Sequence, residues 1–250
     1  MIRVEKDLEN IPNSLFDKKT ITRRDTCIRD RKYHKDKKFD QRYKQKDIKE
    51  SLKEIYSQKC AFCEQKIIEC RDNNLQDCSS TIEHYRPKSI YYWLAFSWDN
   101  LLWCCHRCNQ YKSNSFEMDK QKVQYHEDFK DNIHSSATTY NAIEYPKMIH
   151  PELESVLSIV KFERDGSILS SDERVGYTIE TCGLNRVDLI EKRKKIIDDF
   201  IKKVNAKIVK DESIQDVLTE LFYDFKEQKK EFIALKFWIL KNYKSLIKVS

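Results

Sequence analysis

The chain has 250 residues, enough for a sizeable buried core, and its 35% charged residues and mean hydropathy of −0.75 are typical of a water-soluble protein. No apolar run approaches the ~20 residues that a membrane span needs, and the first seven residues carry charges where a secretory signal would be apolar. We therefore expect a cytoplasmic protein that does not bind membranes. The chain has three glycines and no GxxxxGK[ST] or GxGxxG motif, so we expect no nucleotide-binding loop of its own.

Positive charge is concentrated at the start of the chain. Residues 1–50 contain sixteen Lys and Arg against ten Asp and Glu, whereas the remaining residues contain equal numbers of both. Residues 1–46 show little hydrophobic periodicity, which predicts a basic N-terminal arm, either extended or loosely helical. Such an arm could contact nucleic-acid phosphates, and a solvated or partner-docking segment is an equally good interpretation.

Two CxxC pairs follow a predicted amphipathic helix over Asp47–Ser57. Cys60 and Cys63 form the first pair, and Cys105 and Cys108 form the second. Each CxxC turn brings two thiolates to one side, and two such turns complete the tetrahedral four-sulfur site that zinc prefers in a structural role. We therefore predict a structural Zn²⁺ site. We expect the five other cysteines to be ordinary thiols: Cys27, Cys70, Cys78, Cys104 and Cys182.

Three further segments with polar residues lie between the two CxxC pairs or directly after the second pair. The segment that begins at Thr81 reads TIEHYRPK, the segment WDNLL begins at Trp98, and the second pair continues as CNQYK from Cys108. The order and spacing of these parts resemble the HNH endonuclease family, which implies a ββα-metal core. A histidine can act as a base near neutral pH, and phosphodiester hydrolysis needs an activated water and a cation on the phosphate.

The resemblance implies specific roles for these residues. His84 would be the general base, Glu83 and Asn109 would hold one divalent ion (Mg²⁺ or Mn²⁺), and Asn100 would brace the histidine loop. Successive strand residues point to opposite faces, so Glu83 and His84 can converge only where the strand ends or is distorted. Three basic residues are candidate phosphate contacts, or else surface charges: Arg86, Lys88 and Lys112.

The second half of the chain predicts a hairpin and helices. Residues 126–185 are expected to be irregular apart from a β-hairpin over Ser158–Leu169, with Asp165-Gly166 as its turn. Residues 186–250 show apolar stripes at helical spacing. With 47–125 as the nuclease core, the predicted fold class is α+β and predominantly helical. The aromatic residues Phe232, Phe237 and Trp238 either pack within the domain or dock on a partner.

A wider stretch resembles one particular family. The CAFCE and IEHYRPKS segments, together with Leu184-Asn185, Leu189 and Arg193, are similar to PtuB, the nuclease subunit of Septu-type anti-phage systems. This resemblance implies a PtuA-like ATPase partner and a nucleic-acid substrate, with DNA favoured and RNA an alternative. A zinc-braced nucleic-acid-binding or adaptor protein without catalytic activity is the competing hypothesis.

Overall fold

The computed structural model describes residues 2–67 and 80–247, so Cys70 and Cys78 lie outside the described residues. The fold is α+β and about half helical, which confirms the predicted fold class at this level. Within the described ranges, no helix is both long enough and apolar enough to cross a membrane.

The N-terminal segment contains two helices, α1 (Lys18–Arg29) and α2 (Lys37–Tyr43). Each helix has a buried inner face, which contains Cys27 in α1 and Phe39 and Tyr43 in α2. Upstream of the helices, Lys6 donates to the carbonyl of Leu101 at 2.6 Å. The basic segment therefore packs against the core, and most of its charged residues lie at the surface, with Lys6 and Arg24 as buried exceptions.

The centre of the fold consists of two antiparallel strands followed by a helix. Helix α3 (Lys46–Ile55), predicted from its apolar spacing, leads to the first CxxC turn, and strand β1 (Ser80–His84) pairs with strand β2 (Leu101–Cys105). Helix α4 (His106–Lys112) begins directly after β2 and packs on both strands. The three tryptophans Trp93, Trp98 and Trp103 are at most 1% exposed and belong to the core.

The remaining elements form a mainly helical second half. The predicted hairpin is confirmed with short strands, β3 (Lys161–Phe162) and β4 (Ile168–Leu169). The region expected to be irregular also contains α5 (Ala137–Glu144) and α6 (Glu173–Thr181). The C-terminal stripes form three further helices: α7 (Val187–Val209), α8 (Gln215–Glu227) and α9 (Ile233–Ile247).

The aromatic residues of α9 pack within the domain. Phe232, just before the helix, is 4% exposed, Phe237 stacks on Phe225 with ring centroids 4.9 Å apart, and Trp238 meets Phe162 edge-on. These contacts favour packing within the domain over docking on a partner, most clearly for Phe232. The exposed aromatic side chains of this region are instead Phe222 and Tyr223 on α8, each more than half exposed.

Candidate metal centre and active site

The four cysteines of the two CxxC pairs form one buried cluster. The sulfur atoms of Cys60, Cys63, Cys105 and Cys108 lie within 4.8 Å of one another. Sulfur atoms about 2.3 Å from a common zinc ion lie under 4 Å apart, so a small contraction of the cluster suits a tetrahedral ion. Four soft, buried thiols with no oxygen ligand among them fit a structural zinc ion and leave no open position for catalysis.

Local backbone structure brings the two pairs together. The amide of Ala61 donates to the carbonyl of Trp103 at 2.8 Å, which ties the first CxxC turn to β2. Cys105 ends that same strand, and its sulfur caps α4 by accepting from the amide of Cys108. The strand thus contacts one pair and leads directly into the other.

A buried arginine on the far side of the cluster contributes positive charge. The guanidinium of Arg186 lies 3.3 Å from the sulfur of Cys108, 3.8 Å from that of Cys63 and 3.9 Å from that of Cys105. Burial lowers the pKa of Arg186, but the charges of Cys108 and Cys63 raise it by more, so the group stays cationic. A cation here favours thiolates over thiols, as metal binding requires.

A polar cavity of about 430 Å³ lies along β1. All five residues of the strand line it, as expected if the cavity follows the edge of β1 that is not paired with β2. Glu83, His84 and Asn109 all border this one cavity, even though the first two are neighbours on a strand. Because β1 ends at His84, both side chains can reach its open edge. The other lining residues are Tyr43, Lys44, Lys49, Pro87, Lys88, Trp103, Ser113 and Asn114.

His84 is 5% exposed and held in a fixed orientation. Its Nε2 lies 2.9 Å from the carbonyl oxygen of Ala95, and the ring of Tyr43 meets it edge-on at 4.6 Å. A carbonyl can only accept, so Nε2 carries the hydrogen and Nδ1 keeps the lone pair. Burial, and then the charge of Lys88, lowers the pKa of His84 to about 3, so the ring is neutral near neutral pH.

Glu83 is paired with Lys112 and also borders the cavity. The Lys112 ammonium lies 2.8 Å from Oε1 of Glu83 and donates to the backbone carbonyl of His84 at 2.9 Å. Burial raises the pKa of Glu83, and the charge of Lys112 opposes that rise. Lys112 itself is fully buried, so it faces a carboxylate and does not present its charge to a phosphate at the surface.

The two asparagines have different surroundings. Asn100 is buried, accepts from the amide of Arg86 at 2.7 Å, and donates to the carbonyls of Arg86 and Leu94, both at 3.1 Å. These bonds fix the loop that follows His84. Asn109, on α4, donates from Nδ2 to the hydroxyl of Thr81 at 2.9 Å, which orients its amide at the cavity wall.

The two other predicted phosphate contacts differ in accessibility. The side chain of Arg86 is 1% exposed and forms a buried ion pair with Glu144 at 2.8 Å, so it holds α5 and has no donor at the surface. Lys88 borders the cavity, with its side chain 25% exposed and its ammonium 3.0 Å from Asp40. Of the three basic candidates, Lys88 is therefore the one that can face a ligand in this cavity.

Sequence reasoning missed Tyr43 and Asp40 on α2. Tyr43 contacts the ring of His84 and the ammonium of Lys88, and Asp40 binds the hydroxyls of Tyr33 and Tyr43. No motif marks either residue. The available signal was only the interleaving of aromatic and charged residues between Lys37 and Lys44.

Fold and site together define an α+β protein with a four-cysteine cluster that could hold a metal ion, beside a histidine-containing polar cavity. The chain is similar to the Septu protein PtuB of Bacillus mycoides, with 29% identity over 223 residues that cover 82% of this chain and 70% of the relative. It is also similar to the Septu protein PtuB of Bacillus thuringiensis, with 26% identity over 159 residues that cover 64% of this chain and 55% of the relative. No protein-family model matches the chain. The similarity supports a link to the Septu anti-phage defence systems.

Proposed function

We propose that this protein is a metal-dependent endonuclease of the HNH type that hydrolyses nucleic-acid phosphodiester bonds, with DNA favoured over RNA. The observation that carries the proposal is the meeting of Glu83, His84 and Asn109 at one cavity beside a strand–strand–helix unit. Each supplies a group that the reaction needs: an anionic ligand, a base and a neutral oxygen ligand. The similarity to PtuB supports the same proposal and a role in anti-phage defence.

The chemistry follows from the orientation of His84. Nε2 donates to Ala95, so the free lone pair on Nδ1 can accept a proton from an attacking water. A neutral ring is required for this step, and the lowered pKa ensures that it is neutral. Asn100 acts as a positioning residue, because it holds both the amide and the carbonyl of Arg86 in the following loop.

A divalent ion would bind through Glu83 and Asn109. The hard oxygen donors of a carboxylate and an amide suit Mg²⁺ or Mn²⁺. When bound, the ion supplies Lewis acidity to the phosphate and stabilises the leaving oxygen. Lys112 occupies one oxygen of Glu83, so the second oxygen is the one proposed to face the ion.

The second candidate function is a zinc-braced nucleic-acid-binding or adaptor protein without catalysis. The Glu83–Lys112 ion pair is the observation that favours it, since an ammonium on the proposed ligand competes with a metal ion. Mg²⁺-dependent nicking of supercoiled plasmid and degradation of total RNA, assayed with the same purified protein, separate the two. The assay also distinguishes DNA from RNA as the substrate.

The proposal includes a PtuA-like ATPase partner that controls the nuclease. It rests on the similarity to PtuB and on the absence of GxxxxGK[ST] and GxGxxG motifs from this sequence. Phe222 and Tyr223 on α8 are adjacent aromatic residues that are each more than half exposed, so they could contact such a partner together. Co-expression followed by size-exclusion chromatography tests the contact, and Phe222→Ser with Tyr223→Ser should weaken co-elution.

A further inference from the structure

A basic groove lies on the outer side of α1 and α2. Its walls hold five Lys and Arg side chains and two neutral polar ones, with no acidic or aromatic residue among these seven. They are Lys18, Lys19, Thr22 and Arg23 from α1, and Lys38, Gln41 and Arg42 from α2. None of the seven is buried.

The positive charge of the groove is not neutralised by nearby carboxylates. Among the described residues, none of the five basic side chains takes part in an ion pair, and Arg23 covers the ring of Phe39 at 4.9 Å. Asp36 is exposed, and as the N-cap of α2 its side chain accepts from the amide of Lys38 and forms no ion pair with the groove. Asp40 lies on the opposite face of α2, paired with Lys88. Five unpaired cations in one concave surface create a local field that attracts a polyanion.

The groove and the candidate active site share one short helix. Tyr43, on the inner face of α2, contacts His84, and the next residue, Lys44, lines the active-site cavity. Lys38 and Arg42 on the same helix line the groove. Seven helical residues span roughly 10 Å, which is about three base-pair steps of B-DNA at roughly 3.4 Å each. One nucleic-acid strand can therefore reach both.

We propose that this groove binds the sugar–phosphate backbone of the substrate and guides it across α2 to His84. The occupant is a nucleic acid because the groove is uniformly positive, adjoins the active-site cavity and offers two neutral hydrogen-bonding side chains, Thr22 and Gln41. Contacts of this kind position a strand without reading its sequence, and the groove offers no ring on which a base could stack. The proposal rests on the proposed function for its substrate class, but binding by the groove is measurable without cleavage.

The test compares two variants that each remove three positive charges. The first combines Lys19→Gln, Lys38→Gln and Arg42→Gln in the groove. The matched control combines Lys192→Gln, Lys195→Gln and Lys202→Gln, three exposed lysines of α7. Both are built on the full chain carrying His84→Ala, so that probes stay intact during binding. Circular dichroism melting checks that all proteins are equally folded.

Binding of a labelled DNA duplex and of a single-stranded RNA is measured over a salt series. Each lost phosphate contact lowers the slope of log K against log salt by about 0.9 for duplex and about 0.7 for single strands. For the groove variant we expect the slope of log K against log salt to be shallower by about two to three units. Its affinity at low salt should fall by roughly 10-fold or more. The control should keep the parental slope.

Equal slopes for the groove variant and the control would overturn the proposal, and so would failure of the parent protein to bind either probe. Equal slopes combined with loss of co-elution with an acidic protein partner would reassign the groove to that partner. A changed slope in a protein whose wild type does not cleave would preserve the groove as a binding site and defeat only the proposed catalysis.

Discussion

The guanidinium of Arg186 lies 3.3 Å from the sulfur of Cys108, on the α7 side of the cysteine cluster. Four thiolates on one zinc ion carry a net charge of about −2, which is costly to bury without a nearby cation. Arg186 is the residue that supplies this cation, and its second nitrogen reaches Cys63 and Cys105. These contacts link the helical C-terminal region to the cysteine cluster.

Replacing Arg186 with Gln should weaken zinc binding. Loss of a partner that supports metal ligands typically costs about 10- to 100-fold in metal affinity. Competition with a chromophoric chelator measures the change. Arg174→Gln removes a similar charge from an ion pair with Glu154 and serves as the control. Equal zinc affinities in the two variants would show that Arg186 does not support the site.

Purified protein should contain about one zinc ion per chain, resistant to brief chelation, because the four sulfur ligands are buried. Cys60→Ser should lose the metal and most of the soluble, folded protein. Cys104→Ala is the informative control, since Cys104 is buried with its sulfur 3.7 Å from that of Cys60 but lies outside the four-cysteine cluster. Elemental analysis distinguishes the variants, and zinc-free protein with a native melting curve would exclude the site.

Asn100→Ala should lower kcat and destabilise the fold together. The change leaves the amide and carbonyl of Arg86 without side-chain partners, and unsatisfied buried groups of this kind cost about 1–3 kcal/mol each. Asn100→Asp keeps the acceptor for the amide but loses both donated bonds, so an intermediate effect is expected. Urea unfolding and single-turnover cleavage are the measurements. Wild-type kcat in both variants would remove Asn100 from the mechanism.

His134 should make the protein sensitive to mild acid. Its Nδ1 accepts from the amide of Trp98 at 3.1 Å, and burial, followed by the charge of Arg24, lowers its pKa to about 4. The unfolded chain has the ordinary pKa of about 6.5, so it binds more protons than the folded chain between these values. The stability due to neutral His134 is present above pH 6.5 and is lost as pH falls towards 4.

The matching variant is His134→Asn, whose side-chain oxygen can accept the same bond without titrating. The free energy of unfolding should depend on pH less steeply in this variant, by up to about 1.4 kcal/mol per pH unit in that window. Buried His150, whose pKa is also lowered by burial, stays in both proteins and contributes equally. An identical pH profile for both proteins would contradict this account.

The features that could be predicted depend on the spacing of residues that are close together in the sequence. Each CxxC turn is short and brings its own two sulfurs together, so two such pairs predict a four-sulfur site, and the apolar spacing of Ile48 and Leu52 marks α3. The hairpin turn at Asp165-Gly166 could be predicted because glycine readily adopts the positive φ that such a turn requires, and Gly166 has a φ of 92°. Here local chemistry and tertiary structure agree.

The unpredictable features depend on partners distant in the chain. Arg86 was expected at the surface, yet Glu144, 58 residues away, neutralises it in the core. Lys112 meets Glu83 for the same reason, since strand pairing and helix packing decide which charges face each other. The bounds of helices α1 and α2 were not predicted, because their few apolar residues, such as Phe39 and Tyr43, are buried only through packing against other parts of the fold.

The central claim is that His84 is the base of a metal-dependent nuclease. The direct measurement is the rate of Mg²⁺-dependent cleavage of plasmid and RNA by wild-type protein and by His84→Ala, with nucleic-acid binding and zinc content measured on the same samples. His84 lies outside the cysteine cluster, so the variant should keep its fold, zinc and binding. We predict that cleavage falls at least about 100-fold, as expected when a general base is removed. Cleavage by His84→Ala at the wild-type rate would contradict the account.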